Sequence, residues 1–159
     1  MRAFDIAAVA DVRRFPGSRR HPHFGRDALA QALGEQEVLY RHLPELGGRR
    51  RALAESPNRG WTLAGFRGYA DHLRTAEFAR GLEQLEALAR MQRIAVMCAE
   101  AMWWRCHRRL IADVLALRGW RVEHILPAGR RVLHELPGFA IRGDDGLPLY
   151  PEGPQTSLL

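Results

Sequence analysis

Two thiols, an imidazole and a guanidinium group lie close together in the segment Cys98-Ala99-Glu100-Ala101-Met102-Trp103-Trp104-Arg105-Cys106-His107-Arg108. Cys98 ends an apolar run, and Cys106 begins a stretch with helical periodicity. A thiol at a helix N-terminus, beside arginine and histidine, favours the nucleophilic thiolate form. We therefore take Cys98, Glu100, Cys106 and His107 as candidate catalytic residues and Arg108 as an anion-binding residue. The alternative for Cys98 is simple packing, because free cysteine is often buried.

The same segment raises the question of a metal site. Two thiols and one imidazole suit zinc, with Asp11 or water as a fourth ligand. The spacing Cys-x7-Cys-His differs from the short spacing of structural zinc knuckles. The sequence therefore favours anion binding over metal binding and predicts no cofactor.

A second polar segment, residues 11–20, overlaps the end of an apolar run. Asp11 lies inside that run, where an unpaired charge is costly, so we expect it to pair with a nearby arginine. The pair is structural, or it orients Arg13 or Arg108 toward a ligand, or it does both. The candidate anion-binding residues here are Asp11, Arg13, Arg14, Ser18 and Arg19.

A third polar segment begins at His42. Gly47 and Gly48 precede three arginines, and paired glycines bring backbone N–H groups close to a phosphate. His42, Gly47, Gly48 and the downstream Tyr69 are therefore candidate ligand-binding residues. Trp61, Phe66 and Tyr69 also offer aromatic stacking for a base, which makes a nucleic-acid partner the alternative. A solvated loop is the plainer interpretation of the three arginines.

The elements that position these segments follow from hydrophobic patterning. Short apolar runs predict buried strands, and spacings of three and four predict helices. The predicted strands are 6–12, 38–43, 93–98 and 122–126, and the predicted helices are 26–34, 75–90 and 105–118, with a helical turn at 66–73. This order predicts an α/β fold, a three-layer Rossmann-like open, mainly parallel sheet with helices on both faces. Ligands bind at the carboxyl ends of strands in such sheets, and the three polar segments fall there.

Length and composition set the remaining expectations. The 159 residues, 47% hydrophobic and 26% charged, predict one globular domain, 1–159, with an irregular tail from about 132. The net charge is +6, and all 24 basic residues are arginine, for which GC-rich coding is the simplest cause. No apolar run is long enough to span a bilayer and no signal segment is visible, so we expect a cytoplasmic protein with reduced thiols and no membrane partner.

Four motifs together resemble the bacterial family known as domain of unknown function 488. They are Asp-Val-Arg-Arg-Phe-Pro-Gly-Ser-Arg-Arg-His-Pro-His-Phe (11–24), His-Leu-Pro-Glu-Leu-Gly-Gly-Arg-Arg (42–50), Phe-Arg-Gly-Tyr-Ala-Asp (66–71) and Cys-Ala-Glu…Cys-His-Arg (98–108). The resemblance covers nearly the whole chain. It implies an α/β sandwich with a Rossmann-like sheet and no assigned activity.

The resemblance also marks motif residues and one departure. The matching positions are Asp11, Arg13, Pro16, Ser18, Arg19, His42, Glu45, Leu46, Gly47, Gly48, Phe66, Arg67, Tyr69, Ala70, Cys98, Glu100, Cys106, His107 and Arg108. Members of the family usually begin with a further strand, a turn and a helix, and residues 1–5 are similar to the end of that helix. We therefore expect that this chain starts late relative to its family.

Three functions follow as hypotheses. The first is an enzyme that acts on a phosphate-bearing or other anionic, nucleotide-like substrate at the carboxyl ends of the strands. The second is a nucleic-acid-binding or accessory module, and the third is a ligand-binding domain without chemistry. The sequence leaves the substrate, the reaction and the oligomeric state open.

Overall fold

The computed structural model of the protein describes residues 2–17 and 21–153. Its helices and strands are mixed, and they divide into two compact units, one built from Met1–Gly48 and Ala76–Met102 and the other from Arg49–Thr75 and Trp103–Leu159. The strands are β1 (Ala8–Asp11), β2 (Leu39–His42), β3 (Ile94–Met97), β4 (Glu123–Ile125), β5 (Arg131–Leu133), β6 (Ile141–Arg142) and β7 (Pro148–Leu149). The helices are α1 (Arg26–Gly34), α2 (Ala64–His72), α3 (Ala76–Met91) and α4 (Arg108–Leu117).

A three-stranded parallel sheet lies in the first unit, with the strand order β2-β1-β3. The register sets Asp11 opposite His42 on one side and opposite Met97 on the other. The carboxyl ends of the three strands are therefore level, and Cys98 follows directly after the end of β3. The parallel sheet and its first three strands confirm the α/β character that the sequence predicts.

The central strand β1 is buried along its whole length. Ala8, Val9, Ala10 and Asp11 are between 0% and 4% exposed. Because successive side chains of a strand point to opposite faces, both faces of β1 are covered. This burial explains why the sequence of β1 is a continuous apolar run. It also makes the carboxylate of Asp11 at the end of the strand costly unless it is paired.

Helix α3 packs in the first unit through the apolar face that its sequence predicts. Phe78, Leu82 and Leu85 lie at spacings of four and three residues and are at most 1% exposed. Gly81 lies on the same helix, where an added Cβ would come within 2.9 Å of the Cβ of Glu45. The helix therefore approaches the turn Pro44–Leu46 closely.

Among the described residues, no helix combines the length and the apolar character needed to cross a bilayer.

The second unit corrects the expected role of the strand at 122–126. The structure confirms a strand there, but β4 pairs antiparallel with β5 in a separate two-stranded sheet. The reason is the short connection: Pro127–Gly129 is a tight turn, with Ala128 and Gly129 at positive φ angles of 59° and 72°. A turn of this length joins antiparallel strands only, since parallel strands need a long crossover. In the predicted irregular tail, β6 and β7 form a small hairpin.

Helix α4 begins later than the sequence predicts. Three residues, Trp103–Arg105, form a 3-10 turn, and the α-helix starts at Arg108 with His107 as its N-cap. The apolar positions expected at Leu110, Ile111 and Val114 are buried, at 0% to 1% exposed. Cys106 therefore lies just before the helix rather than in its first turn. The single domain of residues 1–159 stays a prediction.

Two glycines are explained by close backbone contacts. An added Cβ at Gly68 would come within 2.4 Å of the Arg50 carbonyl oxygen, so α2 lies directly against the backbone of residues 50–52. At Gly47 it would come within 2.8 Å of both the Arg14 Cβ and the Pro44 carbonyl oxygen. The turn after β2 therefore packs against the segment after β1 with no room for a side chain.

We predict that Gly47→Ala destabilises the protein by about 2 kcal/mol, because the new methyl group overlaps backbone and Cβ atoms that cannot move independently. Gly34→Ala is the matched control, since nothing lies within 4 Å of the Cβ position at Gly34. That change should be neutral or stabilising by up to about 1 kcal/mol. Urea denaturation followed by circular dichroism measures both, and equal stabilities of the two variants would contradict the close contact.

Candidate functional site

The carboxylate of Asp11 is the centre of a buried network in the first unit. Its Oδ1 accepts hydrogen bonds from the backbone N–H of Arg13 at 3.0 Å and from the Arg13 Nε at 2.8 Å. Its Oδ2 accepts from the Tyr40 hydroxyl at 2.6 Å and from the Arg13 Nη2 at 2.5 Å. Asp11 is fully buried and Arg13 is 9% exposed. The expected pairing of Asp11 with a nearby arginine is therefore confirmed, and the partner is Arg13.

Arg13 also holds other parts of the first unit. Its Nη1 donates to the Phe24 carbonyl oxygen at 2.8 Å, which ties the segment after β1 to the start of α1. The Arg13 carbonyl oxygen lies 2.8 Å from Nε2 of His42. The guanidinium group thus binds both a buried carboxylate and a main-chain carbonyl, and anion binding by Asp11, Arg13 and His42 stays a prediction. His42 joins the same network from the end of β2.

The network sets the protonation state of its members. Burial alone would raise the pKa of Asp11, but hydrogen bonds from Arg13 and Tyr40 outweigh it and hold the pKa below the usual 3.8. The carboxylate raises the pKa of Arg13 above its usual value. Burial and the neighbouring Asp11 raise the pKa of the Tyr40 hydroxyl, so Tyr40 stays a hydrogen-bond donor. The group is therefore a fixed ion pair with a neutral tyrosine.

The other predicted residues of the first unit have simpler surroundings. Arg14 is exposed, and its guanidinium carbon lies 5.8 Å from the centre of the Phe15 ring. The Gly47 N–H donates to the Pro44 carbonyl oxygen at 2.9 Å, so the turn already uses this amide. The Glu100 carboxylate accepts from the Met102 N–H at 3.1 Å. Ser18 and Arg19 lie outside the described residues, and anion binding by Gly48 stays a prediction.

A second cluster, which we call the thiol group, consists of Cys106, His107 and Arg108 in the second unit. The Cys106 sulfur lies 3.6 Å from Nδ1 of His107 and accepts a hydrogen bond from Nε of Arg108 at 3.4 Å. Cys106 is 3% exposed. The N–H of Cys106 donates to the Trp103 carbonyl oxygen at 3.2 Å, which fixes the turn before α4. Two nitrogen-bearing side chains thus face one thiol.

The thiol group is supported from one side by Tyr69 on α2. The ring of Tyr69 lies 4.9 Å from the ring of His107, measured between centroids, and Tyr69 is 1% exposed. The Cys106 carbonyl oxygen accepts from the Arg109 N–H at 3.0 Å, so the backbone of Cys106 begins the hydrogen bonding of α4. The structure therefore brings together four predicted residues, Cys106, His107, Arg108 and Tyr69.

The stacking role considered for Trp61 and Tyr69 stays a prediction, and both side chains are buried in the second unit, at 8% and 1% exposed. Trp61 is 8% exposed and stacks on Phe66 at 4.8 Å between ring centroids. The guanidinium carbon of Arg109 lies 5.0 Å from the centre of the Trp61 ring. These neighbours occupy the surfaces that a nucleic-acid base would need. Trp61 and Phe66 are thus neighbours in a packed aromatic cluster.

A third cluster, which the sequence patterns did not predict, joins Asp113, His124, His134 and Tyr150, and we call it the histidine chain. The Tyr150 hydroxyl donates to Oδ2 of Asp113 at 2.6 Å, and Nε2 of His134 lies 2.7 Å from Oδ1 of Asp113. Nδ1 of His134 lies 2.9 Å from Nε2 of His124. Asp113 and Tyr150 are fully buried, and the two histidines are 6% and 8% exposed. The one signal available in the sequence was Asp113, a charged residue on the apolar face of α4.

The end of the histidine chain lies against an indole ring. Trp103 stacks flat on His124, with ring centroids 3.7 Å apart and an angle of 4° between the planes. Burial, followed by the charges of His134, Arg108 and Arg109, lowers the pKa of His124 to about 4. His124 is therefore a neutral imidazole at physiological pH. Buried polar residues with a strongly altered pKa are common at functional sites.

Comparison with known proteins confirms the resemblance inferred from the motifs. The model of the family described as "Domain of unknown function DUF488" matches residues 1–115 of the 159-residue chain. The match includes the Asp11 network and the thiol group and ends before His124, His134 and Tyr150. No curated protein and no solved structure matches the chain.

We predict that Asp11→Asn lowers the free energy of unfolding by about 3 kcal/mol, because Arg13 is left as a buried charge without its counter-ion. Tyr40→Phe, which removes one hydrogen bond to the same carboxylate, should cost about 1 kcal/mol. Urea denaturation at pH 7 measures both variants. A smaller loss for Asp11→Asn than for Tyr40→Phe would show that the ion pair is not the main interaction of the network.

We also predict that the protein is less stable at pH 5 than at pH 7. The pKa of His124 is about 4 in the folded protein and 6.5 in the unfolded chain, so the unfolded chain binds the extra proton between these values. Stability from His124 is complete above pH 6.5 and falls as the pH drops toward 4, by roughly 1 to 2 kcal/mol at pH 5.

The matched variant for this measurement is His124→Gln, whose amide can donate to or accept from His134 but does not titrate. Denaturation at the two pH values should show a smaller pH-dependent loss in the variant than in the unchanged protein. An identical loss in both would assign the acid sensitivity to other groups.

Proposed function

We infer that this chain, which belongs to the DUF488 family, is an enzyme that acts on a phosphate-bearing or other anionic substrate through Cys106. The single observation that carries the proposal is the position of the Cys106 sulfur between Nδ1 of His107 and Nε of Arg108, at 3.6 Å and 3.4 Å. Both neighbours favour a negatively charged sulfur, and nucleophilic cysteines typically have such surroundings.

The proposed chemistry starts with a proton transfer from the thiol of Cys106 to Nδ1 of His107. The thiolate then attacks an electrophilic centre of the substrate and forms a new bond from sulfur with its own electron pair. The bond to the leaving group breaks, and the leaving group departs with the bonding electrons and receives the proton from His107. Charge and atoms balance, and the enzyme is left as a covalent intermediate that water or a second substrate resolves.

Recognition of an anion follows from the composition of the thiol group. Arg108 donates from its Nε to the Cys106 sulfur, so its guanidinium group lies beside the proposed nucleophile. The planar fork of arginine suits phosphate and carboxylate oxygens. Tyr69 contributes by holding the ring of His107 in place. We assign the anion to Arg108, and a positioning role to Tyr69.

In this proposal the first unit supplies structure and no reactive group. The Asp11–Arg13 pair fixes the segment after β1, and Arg14 is the exposed arginine of that segment. We propose that the sheet is the centre of a three-layer, Rossmann-like arrangement, which the complete burial of β1 supports. The chemistry needs a reduced thiol, so it belongs in a reducing compartment such as the cytoplasm.

We predict that Cys106 prefers an anionic alkylating agent. The test uses Cys98→Ser, which leaves Cys106 as the one thiol of the chain, and compares iodoacetate with iodoacetamide. The two reagents have nearly the same size, so the limited exposure of the sulfur cancels in the ratio of their rates. The ratio should exceed that of free cysteine by roughly tenfold, because Arg108 and His107 attract the negative reagent.

Two further variants show where the preference arises. Arg108→Gln should lower the rate ratio several-fold, whereas Arg118→Gln, at the other end of α4, should leave it unchanged. Mass spectrometry of the alkylated peptide measures each rate at pH 7. A ratio equal to that of free cysteine would contradict the proposed anion-directed nucleophile.

A further inference from the structure

The hairpin of β4 and β5 in the second unit has backbone groups that point away from its own two-stranded sheet. The N–H of His134 donates to the Val122 carbonyl oxygen at 2.9 Å, and the N–H of Leu126 donates to the Arg130 carbonyl oxygen at 2.8 Å. These bonds direct the backbone groups of the even-numbered residues from 130 to 134 toward β4. Because the direction alternates along an antiparallel strand, the backbone groups of the odd-numbered residues point to the opposite edge.

The strand β5 is exposed along its whole length. Its three residues, Arg131–Leu133, are all exposed, and its sheet consists of β4 and β5 alone among the described residues. Glu135, just beyond the strand, is exposed as well. A strand edge is a template for another strand, and proteins commonly protect it with a proline, a bulge or a covering segment. Residues 131–135 contain no proline, and β5 pairs with β4 without a bulge.

The sequence along this edge is complementary to itself. When a second copy is aligned antiparallel with Leu133 opposite Leu133, Arg131 of each copy lies opposite Glu135 of the other. The odd-numbered residues, whose backbone groups point outward, are the ones that meet in this alignment. Hydrogen-bonding positions therefore face each other, and opposite charges face each other twice.

The side chains that meet belong to the exposed face of the hairpin. Leu133 is 49% exposed and Ile125, on the same face of β4, is 48% exposed. Nη1 of Arg131 lies 3.3 Å from Oε2 of Glu123. In the aligned pair, the guanidinium group of Arg131 has Glu123 of its own chain on one side and Glu135 of the second copy on the other. The two Leu133 side chains cover each other between these charged groups.

We propose that the chain forms a two-fold dimer in which β5 pairs antiparallel with β5 of a second copy, with the two Leu133 residues opposite each other. Backbone hydrogen bonds join the two strands, and contact between the Leu133 side chains removes apolar surface from water. The pairs of Arg131 with Glu135 select the register, since any shift separates the opposite charges. The two hairpins then form one four-stranded sheet. This interface is independent of the chemistry proposed for Cys106.

Sedimentation equilibrium of the full chain tests the dimer at loading concentrations from about 10 µM to about 1 mM. We expect a reversible equilibrium between monomer and dimer. Leu133→Pro should weaken the dimer by about tenfold, because it removes an outward N–H from each copy and leaves the hydrogen bonds to β4 in place. Circular dichroism checks that each variant is folded.

Charge reversal tests the proposed register. Arg131→Glu alone and Glu135→Arg alone each place like charges opposite each other twice in a dimer, so each should weaken self-association by about tenfold. An equimolar mixture of these two variants should form a heterodimer, because opposite charges meet again at both positions. Glu83→Arg is the matched control, since it makes the same change of charge at an exposed position of α3 and should leave self-association unchanged.

Three outcomes overturn the proposal. The first is a chain that stays monomeric at the highest concentration. The second is a dimer that Leu133→Pro and the charge variants leave unchanged, because such a dimer uses another surface. The third is a mixture of the two folded charge variants that associates no better than either variant alone. If Leu133→Pro fails to fold, the charge variants decide alone. None of these changes touches the thiol group, so the reagent preference of Cys106 tests the proposed function separately.

Discussion

The ion pair between Asp11 and Arg13 is the interaction on which the first unit depends. A carboxylate at the end of a fully buried strand is tolerated only with a counter-ion and hydrogen bonds, and Arg13 and Tyr40 provide them. Tyr40 comes from β2, so the pair also joins neighbouring strands. A register shift of one residue would turn Tyr40 to the other face of the sheet and remove its bond. The carboxylate therefore selects one alignment of the strands.

Both units use a buried aspartate in a similar way. Asp11 and Asp113 are fully buried, and each accepts a hydrogen bond of 2.6 Å from a tyrosine hydroxyl. They differ in the second partner, which is the permanently charged Arg13 in one case and the imidazole of His134 in the other. An arginine has a permanent charge and a fixed hydrogen-bonding geometry. In an imidazole, the hydrogen bond made by one ring nitrogen determines whether the other nitrogen carries a proton. The first arrangement suits structure and the second suits chemistry.

Local patterning predicted most elements of this chain, because it records burial. The runs at β1, β2 and β3 and the spacing of Phe78, Leu82 and Leu85 follow directly from which faces are covered. The pairing of β4 was beyond such reasoning, since an apolar run looks the same in a parallel and in an antiparallel sheet. Its turn, with a non-glycine residue at positive φ, has no strong sequence signal.

The candidate site residues could be predicted where they are adjacent in sequence, and not where they are distant. Cys106, His107 and Arg108 are adjacent in sequence, so their proximity could be predicted. The histidine chain joins residues from α4, β4 and the segments that follow β5 and β7, and no spacing rule connects them. The burial of Trp61 was not predictable either, because an aromatic residue in a loop rich in arginine has the same sequence pattern whether its ring is exposed or buried.

The short separation of Asp11 and Arg13 has a consequence for folding. With one residue between them, the two charges meet at little entropic cost in the unfolded chain as well, so part of their attraction is present before folding begins. What folding adds is the approach of Tyr40 and of the Phe24 carbonyl, which are distant along the chain. The early, local contact with Arg13 compensates the charge of Asp11 before its apolar strand pairs with the neighbouring strands. The later contacts with Tyr40 and with the Phe24 carbonyl complete the folded structure.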